Sequence, residues 1–437
     1  MHKNTVNVSG ASAPAPCLDA EWLRQLCLNA GADDVGFVEV SRSELDSERP
    51  HIQRAFPRTR SLISFVVRMH RDNIRSPARS VANVEFHAAG NEVNEIGRRI
   101  AAALEREGIR AMNPPMGFPM EADRWMTERL WVVSHKPVAV AAGMGRMGIH
   151  RNIIHPRFGN FILLGTVLVG AEVSAYGRPL DFNPCLTCKL CVAACPVGAI
   201  GADGAFDFSA CYTHNYREFM GGFADWAENL AESRGRAAYR RKVRETETVS
   251  MWQSLGFGPN YKAAYCMAVC PAGEEVIPAY QASKKEFAAE TLRPLQEKRE
   301  PVYVVRGSDA EAHVRRRFPH KEVRRVRNSL RPRSIATFLQ GLRQTFQRGA
   351  AGDLEATYHF HFTGADSADA TVVIREGAIE VRQGHVGHAR LRIRADAATW
   401  LGFLAGERSL WWALITGRIR IGGNPRWLLA FKRCFPS

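Results

Sequence analysis

The 437-residue chain lacks any long apolar run, and this absence excludes one class of protein. No stretch approaches the roughly 18 consecutive apolar residues that a membrane-spanning helix needs. Hydrophobic residues at 46% and charged residues at 24% are ordinary for a globular protein. At a prior of about 150 residues per domain, we expect a protein of two to four units without a membrane span.

Export signals and internal repeats are missing as well. The segment from Met1 to Pro16 contains neither an apolar signal core nor a twin arginine. We interpret residues 1–18 as a disordered leader and expect a cytoplasmic protein.

Acidic residues are scarce in one stretch of a chain whose formal net charge is +15. Between Arg315 and Arg348, eleven lysine and arginine residues accompany a single acid, Glu322. Such a field attracts polyanions, which raises nucleic acid, an acidic membrane surface or an anionic substrate as partners. A solvated linker and helix explain the pattern at least as well, so both interpretations stay open.

Cysteine, in contrast, is plentiful and unevenly distributed. Seven of the ten cysteines fall between residues 185 and 270, which favours metal binding over disulfides in a chain without an export signal. The run Cys185-x-x-Cys188-x-x-Cys191-x-x-x-Cys195-Pro196 has the spacing of bacterial ferredoxins. There, three thiolates hold one cubane and the fourth reaches a second, and soft sulfur donors suit iron-sulfide centres.

Reciprocal ligation, as in two-cluster ferredoxins, divides the seven cysteines into two sets. The first 4Fe-4S cluster takes Cys185, Cys188, Cys191 and Cys270, and the second takes Cys195, Cys211 and Cys266. The second cluster lacks a fourth cysteine, so it is a three-iron (3Fe-4S) centre, a cubane with a non-cysteine ligand, or a site completed by an unidentified residue. A zinc knuckle is the competing interpretation, which the unbroken motif disfavours.

Apolar patterning upstream of the cysteines predicts an α/β or α+β layer structure. An amphipathic helix is predicted over Asn91 to Gly108. Three short apolar runs predict buried strands of one sheet: Ser61 to Val67, Pro137 to Ala142 and Phe161 to Val169.

Downstream of the cysteines, Val302 to Val305 predicts a strand, and Ser308 with Glu311 has the spacing of a helix capping box. Alternating segments then predict further strands, which are Thr357 to Phe362, Thr371 to Ile374, Ala378 to Arg382 and Ala389 to Ile393. Helices are predicted at Ala395 to Ala405, Ser409 to Thr416 and Asn424 to Phe435.

The segment Gly143-Met-Gly145-Arg-Met-Gly148 matches the G-x-G-x-x-G pattern of dinucleotide-binding loops. Its context argues against that function, because Pro156 interrupts the helix that should follow and the expected acid is not at the end of a second strand. A loop lying close to a flat cofactor or substrate is the better interpretation.

The stretch HKPVAVAAGMGRMGIHRNIIHPRFGNFILLG (His135 to Gly165), followed closely by the ferredoxin motif, resembles the core of epoxyqueuosine reductases and reductive dehalogenases. FSACY around Cys211 and FHAAGNEVNEIGRRIA upstream extend the resemblance over about residues 20–280. The resemblance implies a cobalamin next to the first cluster, reduced through the two clusters so that it cleaves a C–O or C–halogen bond.

The resemblance also implies roles for individual residues. It places along the corrinoid Gly143, Gly145, Gly148, His150, Pro156, Phe158 and Gly159, with His150 or Arg157 donating to the tail phosphate. Glu121 and Asp123 are the nearest candidates for the catalytic proton donor. Two positions depart from the family, because Ala263 stands where a cysteine is usual and Ile149 where epoxyqueuosine reductases have a lysine.

From about Asp353 onward the chain resembles the sterol-carrier-protein lipid-binding domain, above all in its ending GRIRIGGNPRWLLAFKRCF. This resemblance implies a five-stranded sheet with helices covering a tunnel for acyl chains or sterols. The apolar residues between Trp400 and Ile415 are too numerous for a solvated surface, so they fill a core or line such a tunnel.

These observations predict an α+β multidomain protein. Its predicted parts are a reductase-like α/β domain at 19–180, a ferredoxin-type double-cluster domain at 181–282, a basic connector with a βα unit at 283–350 and an α+β lipid-binding domain at 351–437. We predict an oxidoreductase that takes electrons from a ferredoxin or flavodoxin and passes them to a corrinoid and a hydrophobic substrate. The alternatives are a tRNA epoxyqueuosine reductase and a non-catalytic electron-transfer or lipid-sensing protein.

Overall fold

The computed structural model describes residues 17–122, 130–185 and 187–436. It has the predicted α+β class, with two main sheets, each associated with its own hydrophobic core. In the described part of the chain, no helix combines the length and the apolarity needed to cross a membrane.

The first part of the chain builds a four-stranded sheet in the order β2-β3-β7-β4. Its elements are β1 (Cys17–Leu18), α1 (Ala20–Asn29), β2 (Asp34–Glu39), a 3₁₀ turn (Ser43–Leu45), α2 (Arg49–Ala55), β3 (Ser61–Arg68), α3 (Arg71–Arg75), α4 (Arg79–Arg106), β4 (Ala111–Met112), α5 (His135–Ala141), β5 (Arg146–Met147), β6 (Ile153–Ile154), β7 (Ile162–Val169) and β8 (Glu172–Val173).

Strands β3 and β7 pair antiparallel at the centre of this sheet and confirm two of the predicted strands. Side chains alternate between the two faces, as the pleat requires. Phe65 and Val67 join one core with helix α4, while Leu62 and Val66 join a second core on the opposite face. Both faces are therefore covered, which explains the nearly continuous apolar sequence of each strand.

The prediction of a strand at Pro137 to Ala142 is wrong, because this segment lies in helix α5. Val138, Ala139 and Ala141 are buried against β3 and β7. A short run that is apolar on every side suits a buried helical turn as well as a buried strand, so its pattern could not separate the two. Helix α4 ends near the predicted Gly108 but begins earlier than predicted, at Arg79.

The cysteine-bearing segment folds mainly into short helices. They are α6 (Leu190–Ala194), α7 (Phe208–Asn215), α8 (Gly221–Ala231), α9 (Arg236–Lys242), α10 (Glu245–Phe257), α11 (Tyr265–Ala268), α12 (Ile277–Ala282), α13 (Lys284–Thr291) and α14 (Arg293–Glu297). Helix α6 packs against α11, although the two are far apart in sequence. This contact brings the two ends of the segment together.

A small parallel pair of strands follows, formed by β9 (Pro301–Val305) and β10 (Glu322–Val326) with α15 (Asp309–Arg317) between them. The predicted cap of α15 is confirmed. The Ser308 hydroxyl accepts from the Glu311 backbone N–H at 3.3 Å, and the Glu311 carboxylate accepts from the Gly307 N–H at 2.8 Å.

The C-terminal part contains the predicted five-stranded sheet, in the order β13-β12-β11-β14-β15. Its elements are α16 (Ile335–Thr345), α17 (Arg348–Ala351), β11 (Ala356–Thr363), β12 (Ala368–Arg375), β13 (Ala378–Gln383), β14 (Leu391–Asp396), α18 (Ala397–Leu404), α19 (Leu410–Ile415), β15 (Ile419–Gly423) and α20 (Pro425–Cys434). The core of this sheet extends upstream to Ile335 and Phe338 in α16.

Not every apolar residue of α18 and α19 is buried, which corrects one expectation. Trp400 packs in the core, but Trp411 is 75% and Ile415 is 83% exposed. Arg408 and Arg418 lie over the ring of Trp412, so cationic side chains accompany the exposed aromatic surface.

Much of the basic stretch is paired with acids that are distant in sequence. Arg325 pairs with Glu311, while Arg327 contacts Asp225 and Glu232. These acids lie on helix α15 and on or directly after helix α8. They are outside the range from Arg315 to Arg348, in which the sequence contains only one acid. The local charge excess is therefore smaller than the sequence indicates.

Replacement of Gly165 by alanine is expected to destabilise the central sheet. Gly165 lies opposite Phe65 in the β3–β7 pair, and a Cβ atom there would overlap the Phe65 ring. Overpacking of this kind costs about 1–3 kcal/mol. The matched control is Gly256→Ala in helix α10, where a Cβ meets nothing within 4 Å and should raise stability by about 0.4–1 kcal/mol. Denaturant unfolding followed by circular dichroism measures both, and equal midpoints for the two variants would contradict the packing argument.

Candidate iron-sulfur site and cavity

The first group of thiols consists of Cys185, Cys188, Cys191 and Cys270. Burial raises the pKa of Cys191 to about 12, and the sulfurs of Cys266, Cys188 and Cys185, in that order, contribute to the rise. Burial also raises the pKa of Cys270, again with contributions from the other three sulfurs. The four sulfurs thus influence one another at short range. This is the ligand set predicted for the first cluster, and its chemistry fits a cubane.

The second group consists of Cys195, Cys211 and Cys266. Burial raises the pKa of Cys211, and the sulfurs of Cys195 and Cys266 raise it further. Burial raises the pKa of Cys266 to about 12, with Cys195 as the next contribution. Cys266 also raises the pKa of Cys191, so the two groups are neighbours. Neighbouring buried thiolates repel each other, and a cationic metal centre that they share relieves this repulsion.

Backbone N–H groups surround one sulfur of the second group. The Ala199 N–H donates to Cys195 Sγ at 3.3 Å, where Pro196 has ended helix α6 and the chain turns through Gly198 at φ +65°. Hydrogen bonds to cluster sulfurs are one of the means by which a protein sets a cluster's potential. Within the described residues, no group of three or more His, Cys, Asp or Glu side chains has the geometry to hold a single metal ion.

The three described cysteines outside these groups lie in other parts of the fold. Cys17 is exposed in β1, Cys27 is buried in α1, and Cys434 in α20 donates to the Ala430 carbonyl. The second group is therefore a set of three thiols. Ala263, the position at which the family usually has a cysteine, is buried immediately before α11.

A cavity of about 770 Å³ lies beside the second group and includes all three of its cysteines and Ala263 in its wall. Its volume is within the range of small-molecule and cofactor sites. Aromatic rings form much of the wall, and Phe219 and Tyr261, with ring centroids 4.9 Å apart, are packed against each other. Such a wall favours an apolar or aromatic occupant and limits the access of water.

Lys136 supplies a positive charge to this cavity. Its ammonium group donates to the Arg151 carbonyl at 2.5 Å and to Asn152 Oδ1 at 3.4 Å. The side chain is open to the cavity but enclosed by protein, and this burial lowers its pKa, opposed by the negative charge of Cys266 and Cys211. Lys136 was not among the predicted site residues, although it lies in the stretch from His135 to Gly165 on which the resemblance was based.

Two histidines in the cavity wall, His150 and His214, have a defined tautomer. Burial lowers the pKa of each to about 4, so both rings are neutral near pH 7. The Asn152 N–H donates to Nδ1 of His150 at 3.1 Å, and the Tyr303 N–H donates to Nδ1 of His214 at 3.3 Å. The proton must then sit on Nε2. Among the described residues, neither buried Nε2 group has a hydrogen-bond partner.

The glycine-rich loop contributes Met147 to this cavity wall, but its three glycines, Gly143, Gly145 and Gly148, lie outside the wall. A Cβ on Gly143, at φ +76°, would lie 2.6 Å from the Arg178 carbonyl, and Gly159, at φ +66°, abuts Ala272. Arg157 pairs with Glu275 at 2.7 Å. Gly145, Gly148 and Phe158 pack against protein atoms as well. Of the predicted corrinoid contacts, the structure brings His150 alone to the cavity, and the roles of the others stay predictions.

Of the two candidate proton donors, Asp123 lies outside the described residues. Glu121 is exposed, and its backbone N–H donates to the Leu130 carbonyl at 3.0 Å. Its carboxylate is not part of the cavity wall.

Comparison with known proteins finds similarity in two parts of the chain. Residues 338–436 match the SCP-2 sterol transfer family. An epoxyqueuosine reductase of Gloeobacter violaceus is 26% identical over 204 residues, which make up 46% of this chain and 60% of that protein. An epoxyqueuosine reductase of Vibrio cholerae is 32% identical over 89 residues, or 20% of this chain and 24% of that protein. The chain thus spans less than two thirds of the length of these relatives.

Solved structures of the same kinds align at low identity. A catabolic reductive dehalogenase aligns with a TM-score of 0.40 at 16% identity, covering 62% of this chain and 35% of that chain. The epoxyqueuosine reductase of Streptococcus thermophilus aligns with a TM-score of 0.33 at 14% identity, covering 63% of this chain and 78% of that chain. No conclusion about function rests on these alignments. The sequence matches confirm the predicted resemblances.

Cysteine replacements that leave only two thiolates in one group should remove the two clusters separately. The double variant Cys191→Ala/Cys270→Ala does so in the first group and Cys195→Ala in the second, so each variant is expected to bind roughly half the iron of the unaltered chain after anaerobic reconstitution. Cys17→Ser, at an exposed position remote from both groups, is the control and should retain all of it. Iron and sulfide analysis measures the result. Unchanged iron in both alanine variants, or zinc in place of iron, would overturn the assignment.

Proposed function

We propose that this chain is an iron-sulfur reductase in which two clusters deliver electrons to an acceptor bound in the cavity of about 770 Å³. The carrying observation is that the two thiol groups are neighbours and that the second lies in the wall of this cavity. Electrons then travel from the first cluster to the second and on to the occupant of the cavity.

Electron entry is proposed at the first cluster. Cys185 and Cys188 are only half-buried and, unlike the second group, do not line the cavity, so an electron carrier can approach this cluster from the outside. The positive charges of Lys189 and Lys284 act on Cys188. A small acidic electron carrier, such as a ferredoxin or flavodoxin, suits this surface because opposite charge steers the encounter.

The cofactor implied by the relatives is a corrinoid, which would supply a cobalt centre able to cleave a C–O or C–halogen bond. The donors of the cavity wall, His150 and Lys136, suit such a group, and we propose it beside the second cluster rather than beside the first, where the resemblance implied it. The neutral His150 ring offers an N–H donor, and Lys136 offers a charge for an anionic group. His150 is buried in the wall, whereas Lys136 is exposed to the cavity.

A second cavity supports an apolar substrate. It has a volume of about 1090 Å³ and shares five wall residues with the first, namely Trp131, Phe208, Tyr212, Tyr216 and Met220. Its far side is formed by α16 and the end of α18, within the part of the chain that matches the SCP-2 sterol transfer family. We propose that a hydrophobic substrate passes from this side to the reductive cavity.

A tRNA substrate is the second candidate, favoured by the sequence relatives, which are named epoxyqueuosine reductases. The ion pairs of Arg325 and Arg327 reduce the basic surface that such a substrate would use. Phosphate contacts make nucleic-acid binding steeply dependent on salt, so salt-sensitive tRNA affinity would favour this candidate over a lipid-type substrate.

The reductase proposal predicts two kinds of metal signal. Anaerobic purification with added cobalamin should give a brown protein with paramagnetic iron-sulfur signals after reduction and a cobalt(II) signal from the bound corrinoid. Clusters without cobalt would retain the iron-sulfur proposal and remove the corrinoid. A colourless protein without iron, or one that holds zinc, would overturn the proposal as a whole.

The proposed substrate route is tested by narrowing the second cavity at Gly341. Gly341 lines this cavity in α16, and a Cβ there meets nothing within 4 Å, so Gly341→Trp should fill space without a clash. A photoactivatable fatty acid should label peptides of both cavities in the unaltered chain, and Gly341→Trp should lower labelling around Tyr261 several-fold.

Gly256→Trp in α10 is the control for this experiment, because it also projects into open space but lies outside both cavities. It should leave the labelling pattern unchanged. Equal labelling of the first cavity in both tryptophan variants would contradict the route.

A further inference from the structure

The second thiol group supplies three cysteines, and all three border the cavity. Cys195, Cys211 and Cys266 all lie in the cavity wall together with Ala263. Cys211 and Cys266 are only half-buried because they border this internal space. A methyl group cannot bind iron, so Ala263 contributes no fourth ligand.

Three potential ligand atoms of the wall already accept hydrogen bonds. The Asn215 side chain accepts from the Ala263 backbone N–H at 2.9 Å. Nδ1 of His150 and Nδ1 of His214 each accept a backbone N–H. A cubane held by three thiolates therefore has one iron whose remaining coordination position borders the cavity.

The cavity also carries the groups that a charged ligand would need. An ammonium group has three N–H donors, and in the described part of the chain Lys136 uses two of them, for Arg151 and Asn152. His150 holds a buried N–H donor without a partner in the described residues. Burying an anion is costly unless it is paired and hydrogen-bonded, and these two side chains supply both conditions.

We propose that the second cluster is a cubane with one iron open to the cavity, and that this iron binds a carboxylate oxygen of a small molecule whose charge is balanced by Lys136. The bond is a dative one from oxygen to iron, without electron transfer. The inference deepens the proposed function and rests on it, since it requires the second cluster to be present. The aromatic wall selects a carboxylate attached to an apolar or aromatic body.

The first test uses the unaltered, cluster-loaded full chain without cobalamin. Phenylacetate enriched in ¹⁷O is added to the dithionite-reduced protein, and the paramagnetic-resonance signal of the second cluster is recorded. Direct bonding should broaden this signal through the ¹⁷O nucleus, relative to unlabelled phenylacetate. Absence of broadening at saturating phenylacetate would overturn the proposed ligand.

The second test adds a fourth thiolate. Ala263→Cys should complete the ligand set, remove the ¹⁷O broadening and keep all iron bound on treatment with ferricyanide. The unaltered chain should lose one iron per molecule and develop a three-iron signal, because its fourth iron lacks a protein ligand. Ala263→Val is the control that adds side-chain atoms without a donor atom, and it should behave like the unaltered chain.

The outcomes separate this inference from the reductase proposal. Iron in both clusters, with identical ferricyanide resistance in the unaltered chain and Ala263→Cys, would overturn the open iron and leave the reductase proposal standing. Lack of iron in every form would overturn both. Failure of Ala263→Cys to fold would leave the decision to the ¹⁷O and ferricyanide measurements on the unaltered chain, which need no substitution.

Discussion

Helices α6 and α11 lie against each other in the interior, and the metal chemistry proposed for this protein depends on that contact. The contact brings Cys191 and Cys195 next to Cys266 and Cys270, so that the sulfurs raise one another's pKa in two groups. Thiols in such a setting are poor nucleophiles as long as they are protonated, and a cationic cluster is what makes the thiolate form favourable. Cluster binding and the folding of this segment are therefore coupled.

The same segment links the two sheets of the molecule. Residues of α7 stand between the first cavity and the second, and α16 closes the second cavity from the C-terminal side. Ion pairs between the basic stretch and helix α8 hold this arrangement, with Arg327 and Arg331 sharing Glu228. The sequence suggested the basic stretch as a binding surface for polyanions. In the structure, much of it forms ion pairs with other parts of the same chain.

The sequence predicted elements well where a physical pattern was local. Four of the five strands of the C-terminal sheet, the cap of α15 and the strands β3 and β7 each follow from alternation, capping spacing or a continuous apolar run, whereas β15 was not predicted from its own pattern. The helix α5 could not be predicted in this way, because a short run of apolar residues is compatible with either secondary structure. The exposed Trp411 and Ile415 show the same limit, since hydrophobicity alone does not decide which side of a short helix meets the core.

The same distinction between local pattern and tertiary packing applies to the candidate site. By itself, the sequence determined the ferredoxin spacing and the departure at Ala263, because thiolate ligation is encoded by residue type and separation within one turn of chain. Only the tertiary structure decided that Ala263 borders a cavity, that Lys136 and His150 share it, and that most of the glycine-rich loop does not. Those facts arise from contacts between segments far apart in sequence. A local sequence pattern cannot predict which distant segment packs beside a given glycine.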